Sequence, residues 1–100
     1  MEAETLLRKK LSTKKVIYEK GNIVEIKILK VEKTETEPYG IKYSLVYIEN
    51  GKRVVGYDNY EKKGDHKHYF EKEIKYKFES VDKLIRDFLN DIEKYKRGEL

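Results

Sequence analysis

Both histidines of this chain, His66 and His68, lie two residues apart in a segment that also carries Asp58. Imidazole groups gain and lose protons near neutral pH, and a carboxylate can orient an imidazole or share a metal ion with it. The segment from Val54 to Phe70 therefore holds the residues whose types and spacing could do chemistry.

One hairpin signal fixes the first strand pairing around these residues. Asn50-Gly51 follows a β-branched and aromatic run, and both residues tolerate the positive φ angles of a tight two-residue turn. Residues 41–49 are therefore expected to pair with residues 52–60. In this register Tyr43 lies opposite Asp58.

A second hairpin would bring the histidines to the same place. With residues 61–65 as its loop, Asp58 lies opposite His68, and His66 lies one pair closer to the loop. Directly paired side chains have Cβ atoms about 5 Å apart, so Tyr43, Asp58 and His68 should form a row on one face of the sheet. Neighbours expected on this face, at the rim of the core, are Phe70, Val54 and Leu45.

The rest of the chain supplies the framework for this row. Further elements are a short helix over residues 1–12, a hairpin turning at Gly21-Asn22, a loop over residues 33–40, and a strand over residues 66–78. The clearest helix begins after Ser80 as N-cap and ends near Gly98, with apolar residues at helical spacing between them. The predicted fold is α+β: a five-stranded antiparallel meander sheet with the C-terminal helix packed on one face.

Length and composition limit the protein to a few classes. A chain of 100 residues predicts a single domain, 1–100. It has no cysteine, no signal-peptide pattern and no run of about 18 apolar residues, which predicts a cytoplasmic protein without a membrane partner. The 42% of charged residues, with no glutamine, resemble the composition of thermophile proteins. The net charge of +4 is compatible with a polyanionic partner.

The histidines and their neighbours could cleave a phosphodiester by general acid–base catalysis. One imidazole would remove the proton of a 2′-hydroxyl group, and the other would protonate the leaving oxygen. Asp58 would orient its histidine, and Lys63 or Lys67 would contact the phosphate. This scheme requires no metal and no cofactor.

Two other interpretations use the same side chains. His66 and His68, with Asp58 or Asp65, could supply nitrogen and oxygen ligands to a divalent metal. Alternatively, the histidines could simply form hydrogen bonds with Asp58 and the loop backbone, so that Gly64-Asp65 is only a turn. The pattern of residues leaves all three interpretations open.

Several motifs of the chain resemble those of the TumE family, the toxin components of type II toxin–antitoxin pairs. The resemblance covers most of the chain and is carried by Tyr57-Asp58-Asn59, Gly64-Asp65-His66-Lys67-His68, Tyr76-Lys77-Phe78 and the helix segment from Ser80 to Leu89. It implies a small toxin encoded beside a DNA-binding antitoxin, of helix-turn-helix type, that masks the toxin by direct contact. By analogy with other small toxins, the expected target is RNA.

The residues and the resemblance together predict a cytoplasmic toxin that acts as a metal-independent endoribonuclease. His66 and His68 are the predicted acid–base pair, and Asp58 is the residue that orients them. Residues expected to bind substrate or support the loop are Lys63, Lys67, Asn59, Tyr57 and Asp65. The alternatives are a noncatalytic RNA- or protein-binding module and a metal-dependent nuclease that uses the same histidines.

Overall fold

The structure is a computed structural model that describes residues 13–35, 37–60 and 64–100, with residues 13–19 described by their backbone alone. Its elements are β1 (Thr13–Glu19), β2 (Asn22–Lys30), β3 (Ile41–Glu49), β4 (Lys52–Asp58), β5 (His66–Tyr69), β6 (Lys72–Lys75) and α1 (Val81–Lys96). Each strand pairs antiparallel with the next, in chain order. The predicted α+β meander with a C-terminal helix is confirmed. The predicted helix over residues 1–12 lies outside the described residues.

Two of the tight turns have the backbone that their sequences favour. At the β3–β4 turn, Asn50 and Gly51 have φ angles of 52° and 77°, as predicted. The first turn lies one residue earlier than predicted, at Lys20-Gly21, with φ angles of 50° and 83°. In both turns glycine occupies the second position, so the flexible residue determines where the hairpin turns.

The prediction of a single strand over residues 66–78 is wrong, because a turn at Phe70-Glu71 divides it into β5 and β6. The described sheet therefore has six strands. Phe70 has a φ of 54°, a left-handed conformation that is uncommon for a bulky residue. The alternation of apolar and charged residues is interrupted here, because Glu71, Lys72 and Glu73 are three consecutive charged residues.

A β-bulge in β4 changes the predicted register of the second hairpin. Ile48 pairs with Arg53, but Tyr47 pairs with Val55, so Val54 is an extra residue in β4. Beyond the bulge, Asp58 pairs with Ser44 instead of the predicted Tyr43. A one-residue slip sends a side chain to the opposite face, and the bulge therefore decides which residues of β4 face the helix.

The helix α1 covers one face of the sheet. Ser80 caps its N-terminus, since the Ser80 Oγ accepts a hydrogen bond from the Lys83 backbone N–H at 3.1 Å. Three of its apolar residues, spaced four apart, are buried: Leu84, Phe88 and Ile92. They pack with a sheet-side core that includes Ile26, Ile28, Tyr43, Leu45, Tyr47, Val54, Val55 and Tyr57. No helix among the described residues is long and apolar enough to cross a bilayer.

Tyrosine hydroxyl groups join the sheet to carboxylates of the helix. Tyr57 donates a hydrogen bond to Asp91, and Tyr76 donates one to Asp87 at 2.6 Å. Burial raises the pKa of both tyrosines above the ordinary range, and the adjacent carboxylates raise it further. Both hydroxyl groups therefore remain protonated donors that hold α1 over β4 and the segment after β6.

We expect Tyr57→Phe to lower the free energy of unfolding by about 1.5 kcal/mol, because the variant loses a hydrogen bond to a charged acceptor. The loss stays near the lower end of the usual range because the Lys67 Nζ remains 3.5 Å from Asp91. Urea denaturation measures the difference. The control is Tyr39→Phe, at a residue that is 49% exposed, and an equal loss in both variants would contradict the role of the Tyr57 hydroxyl.

Candidate functional site

The candidate catalytic residues lie on the face of the sheet opposite α1, which we call the outer face. Tyr57 and Lys67 both contact Asp91 of the helix, so their side chains face α1. Successive residues of a strand alternate between faces, and Asp58, His66 and His68 therefore point outward. The prediction that the histidines share a face with Leu45 is wrong, because Leu45 pairs with Tyr57 on the helix side.

The pairing of β4 with β5 differs from the predicted one by two residues. Asp58 pairs with His66, and Gly56 pairs with His68. An even shift leaves every side chain on its original face, so Asp58 and the two histidines stay together. Tyr43 does not join them. Its side chain is buried on the helix side, and its hydroxyl donates a 2.6 Å hydrogen bond to Asp65.

One carboxylate contacts both imidazole rings. The Asp58 Oδ1 lies 3.1 Å from the His66 Nε2, and the Asp58 Oδ2 lies 3.5 Å from the His68 Nε2. The two rings are nearly perpendicular, with centroids 4.9 Å apart. Glu73 of β6 approaches the same His66 nitrogen at 3.8 Å. The structure thus brings the three predicted catalytic residues together.

Two oxygen atoms flank the ring of His66. The His66 Nδ1 lies 3.1 Å from the Gly64 carbonyl oxygen, which can only accept, so this nitrogen is the donor of that hydrogen bond. The opposite nitrogen, Nε2, lies 3.1 Å from the Asp58 Oδ1. These two contacts fix the orientation of the buried ring.

The surroundings of His68 favour its neutral form. Burial lowers the pKa of His68 below its ordinary value of 6.5, and the charges of Arg53 and His66 lower it further. Asp58 and Glu73 act in the other direction. The net lowering keeps this imidazole largely neutral at pH 7, where it can accept a proton or bind a metal ion.

Arg53 was not among the predicted site residues, yet it lies next to His68 on the outer face. A Cβ atom added to Gly56 would lie 3.1 Å from the Arg53 Cδ and 3.8 Å from the His68 Cβ. Gly56 therefore provides the space through which the arginine side chain crosses β4. The consecutive apolar residues Val54 and Val55 interrupt the alternation of β4, and this was the one sequence signal for the bulge that turns Arg53 outward.

Two of the residues predicted to bind substrate face the helix instead. The Lys67 Nζ lies 3.5 Å from Asp91 and 5.7 Å from the centroid of the Tyr57 ring. Tyr57 itself is 1% exposed. Neither side chain is at the outer face with the histidines.

The other predicted residues contact β3 or lie outside the description. The Asn59 Oδ1 accepts a 2.9 Å hydrogen bond from the Tyr43 backbone N–H, and the Asn59 Nδ2 donates to the Ile41 carbonyl at 2.8 Å. With the bond from Tyr43 to Asp65, these contacts anchor the chain on both sides of residues 61–63. Lys63 lies outside the described residues.

The same three side chains could hold a divalent metal ion. Asp58, His66 and His68 each offer one ligand atom, and these atoms all lie within 4.8 Å of one another. Imidazole nitrogens with a carboxylate oxygen suit zinc and neighbouring transition metals. The bond between the His66 Nδ1 and Gly64 is the kind of contact that orients a metal-binding histidine. The arrangement is therefore compatible with both acid–base and metal chemistry.

Comparison with known proteins gives one family for this chain. The model of the family described as Toxin TumE matches residues 2–96, nearly the whole chain. No curated protein and no solved structure matches it. A toxin of a toxin–antitoxin pair has an antitoxin as its partner. The chain belongs to the TumE family of toxins.

Proposed function

We propose that this toxin is a cytoplasmic, metal-independent endoribonuclease, with Asp58, His66 and His68 as its catalytic group. The observation that carries the proposal is the contact of one carboxylate with both imidazole rings, at 3.1 and 3.5 Å. Two imidazoles beside one carboxylate suit the two proton transfers of RNA cleavage.

His68 acts as the general base. The His68 Nε2 lies 3.5 Å from the Asp58 Oδ2, and a proton on Nε2 facing this carboxylate leaves the lone pair on Nδ1. That nitrogen removes the proton from the 2′-hydroxyl group of RNA. The 2′-oxygen then forms a bond to the phosphorus, and the bond from the phosphorus to the 5′-oxygen breaks.

His66 acts as the general acid. In this role the His66 Nε2, 3.1 Å from the Asp58 Oδ1, donates its proton to the 5′-oxygen of the leaving nucleotide. The products are a 2′,3′-cyclic phosphate and a free 5′-hydroxyl group. His66 finishes the step neutral and His68 finishes it protonated. Before the next turnover, His68 must therefore lose a proton and His66 must gain one.

The net charge of the protein supports RNA as its target, and membership of the TumE family supports an antitoxin as its partner. The protein has a net charge of +4, which favours a polyanionic substrate. The outer face adds the guanidinium group of Arg53 beside His68. The partner in this proposal is a helix-turn-helix DNA-binding antitoxin that masks the toxin by direct contact.

A metal-dependent nuclease is the second candidate, favoured by the convergence of three ligand atoms within 4.8 Å. Electrostatics favour the metal-free mechanism. Asp58 is the one carboxylate among those three ligands, and the positive charge of Arg53 next to His68 opposes a divalent cation.

Cleavage of RNA by purified protein tests the proposal. We expect wild-type protein to cut total RNA equally well with and without EDTA, leaving 2′,3′-cyclic phosphate ends. His68→Gln and His66→Gln should each lower the rate at least about 100-fold, the usual contribution of a general acid or base. Asp58→Asn should also lower it, whereas Asp82→Asn, an exposed change in the first turn of α1, should not.

The other outcomes separate the competing functions. Loss of cleavage in EDTA, with recovery on adding Zn²⁺ or Mn²⁺, would favour the metal-dependent nuclease. Binding of RNA without cleavage, unchanged in the histidine variants, would favour a noncatalytic module. Thermal melting of each variant shows whether the protein is folded before its activity is compared.

The pH dependence of kcat/KM tests the role of His68 separately. A general base must be unprotonated, so activity falls as the pH drops through the pKa of that base. The lowered pKa of His68 places the acidic midpoint below 6.5. Initial rates on a short RNA between pH 4.5 and 9, with folding followed by circular dichroism, give the profile. An acidic midpoint at or above pH 7 would contradict the assignment.

A further inference from the structure

We infer that Arg53 and Phe70 form a subsite for single-stranded RNA at the β4 bulge, in which Arg53, next to His68, binds a phosphate and Phe70, in the β5–β6 turn, stacks on a neighbouring base. This inference rests on the proposed function and assigns to Arg53 the phosphate contact that was predicted for Lys63 or Lys67; the Lys67 side chain contacts Asp91 on the helix side.

Arg53 is placed for a phosphate close to the reacting atoms. Its side chain is exposed and crosses Gly56, in the strand position paired with His68. Its charge contributes to the lowered pKa of His68, so the two groups interact electrostatically. A guanidinium group binds phosphate through two parallel hydrogen bonds, which fixes the orientation of the phosphate as well as its position.

Phe70 is held in an unusual conformation that leaves its ring partly open. Its φ of 54° is costly for a residue with a large side chain, and glycine or asparagine would adopt it more easily. The side chain is nevertheless 40% exposed. Its ring rests on Tyr69 and Tyr95, with centroid distances of 4.9 and 5.9 Å, and these contacts fix its orientation. A fixed, partly exposed aromatic ring is suited to stacking on a base.

The β4 bulge links the two residues. Arg53 immediately precedes the extra residue Val54, and the Val54 carbonyl accepts a 2.8 Å hydrogen bond from the Phe70 backbone N–H. Bulges commonly redirect side chains beside functional sites. The same backbone feature therefore sets the position of the arginine and the position of the turn that carries the phenylalanine.

Arg53 and Phe70 line one open groove of about 680 Å³, together with Lys52 and Glu71. Two cations against one carboxylate give the groove a positive balance, which favours an anionic ligand over a cationic or neutral one. A cationic groove with an aromatic side chain is the usual combination for single-stranded nucleic acid. The ring can stack only on an unpaired base, so the ligand is a single strand.

Binding of a 2′-O-methyl RNA oligonucleotide tests the arginine. This probe lacks the 2′-hydroxyl nucleophile, so its affinity is independent of cleavage. We expect Arg53→Ala to weaken binding at least about tenfold. The slope of log affinity against log salt should fall in magnitude by about 0.7, the value for one phosphate contact on a single strand. Arg53→Lys should keep the slope, and Arg86→Ala, an exposed cation of α1, should keep both quantities.

Substitutions of Phe70 test the stacking. We expect Phe70→Leu to weaken binding at least about fivefold and Phe70→Tyr to retain it. Phe70→Gly adopts the left-handed backbone without strain, so it removes the ring while keeping the turn, and it should also bind more weakly. Tyr39→Leu removes another exposed aromatic ring and should not weaken binding. A duplex of the same sequence should bind more weakly than the single strand.

The outcomes for the subsite and for catalysis are distinguishable. Unchanged affinity and salt slope in Arg53→Ala and Phe70→Leu, or equal losses in the two control variants, would overturn the subsite even if the wild-type protein cleaves RNA. Weakened binding in both variants, with no cleavage by wild-type protein, would support the subsite and contradict the proposed catalysis. Equal affinity for duplex and single strand would contradict stacking on Phe70.

Discussion

The β-bulge at Val54 is the constraint on which the arrangement of both faces depends. Because β4 contains one extra residue, Arg53 and Gly56 lie on the same face although they are three residues apart. Without the bulge, Tyr57 would leave the helix side, and Asp58 would point into an apolar core, where an unpaired carboxylate is costly. The same bulge therefore places Tyr57 in the core and Asp58 at the outer site.

Carboxylates have different partners on the two faces of the sheet, and the partner distinguishes a structural carboxylate from a candidate catalytic one. On the helix side, Asp91 and Asp87 accept hydrogen bonds from Tyr57 and Tyr76, whose raised pKa keeps them protonated. These bonds connect elements and do not exchange protons near neutrality. On the outer face, Asp58 contacts two imidazoles, and imidazole is the side chain that most often acts as a general acid or base. The partner, and not the carboxylate itself, determines which site can do chemistry.

The features that could be predicted from the sequence are those that depend on the conformational preferences of a few neighbouring residues. The Asn50-Gly51 turn and the helix after Ser80 follow from backbone preference and capping, and both are confirmed. The bulge and the turn at Phe70 leave only short interruptions of the alternation, at Val54-Val55 and at Glu71-Lys72-Glu73. Such an interruption does not specify whether the chain bulges, turns or continues, because that depends on packing between strands. The histidines stayed with Asp58 because the register error between β4 and β5 was even. Lys67 lies one residue from each histidine, and the same alternation that unites them sends it to the helix side.

Charge also couples the proposed subsite to the proposed base. In the free protein, burial and the guanidinium of Arg53 both favour neutral His68. A phosphate bound to Arg53 adds negative charge close to this imidazole and offsets part of the effect of the guanidinium. The bound substrate would then raise the pKa of His68 toward neutrality, which strengthens it as a base when the 2′-hydroxyl group is present. A lysine at the same distance would place a similar positive charge beside His68 but would not orient the phosphate, so the planar side chain of arginine suits both requirements.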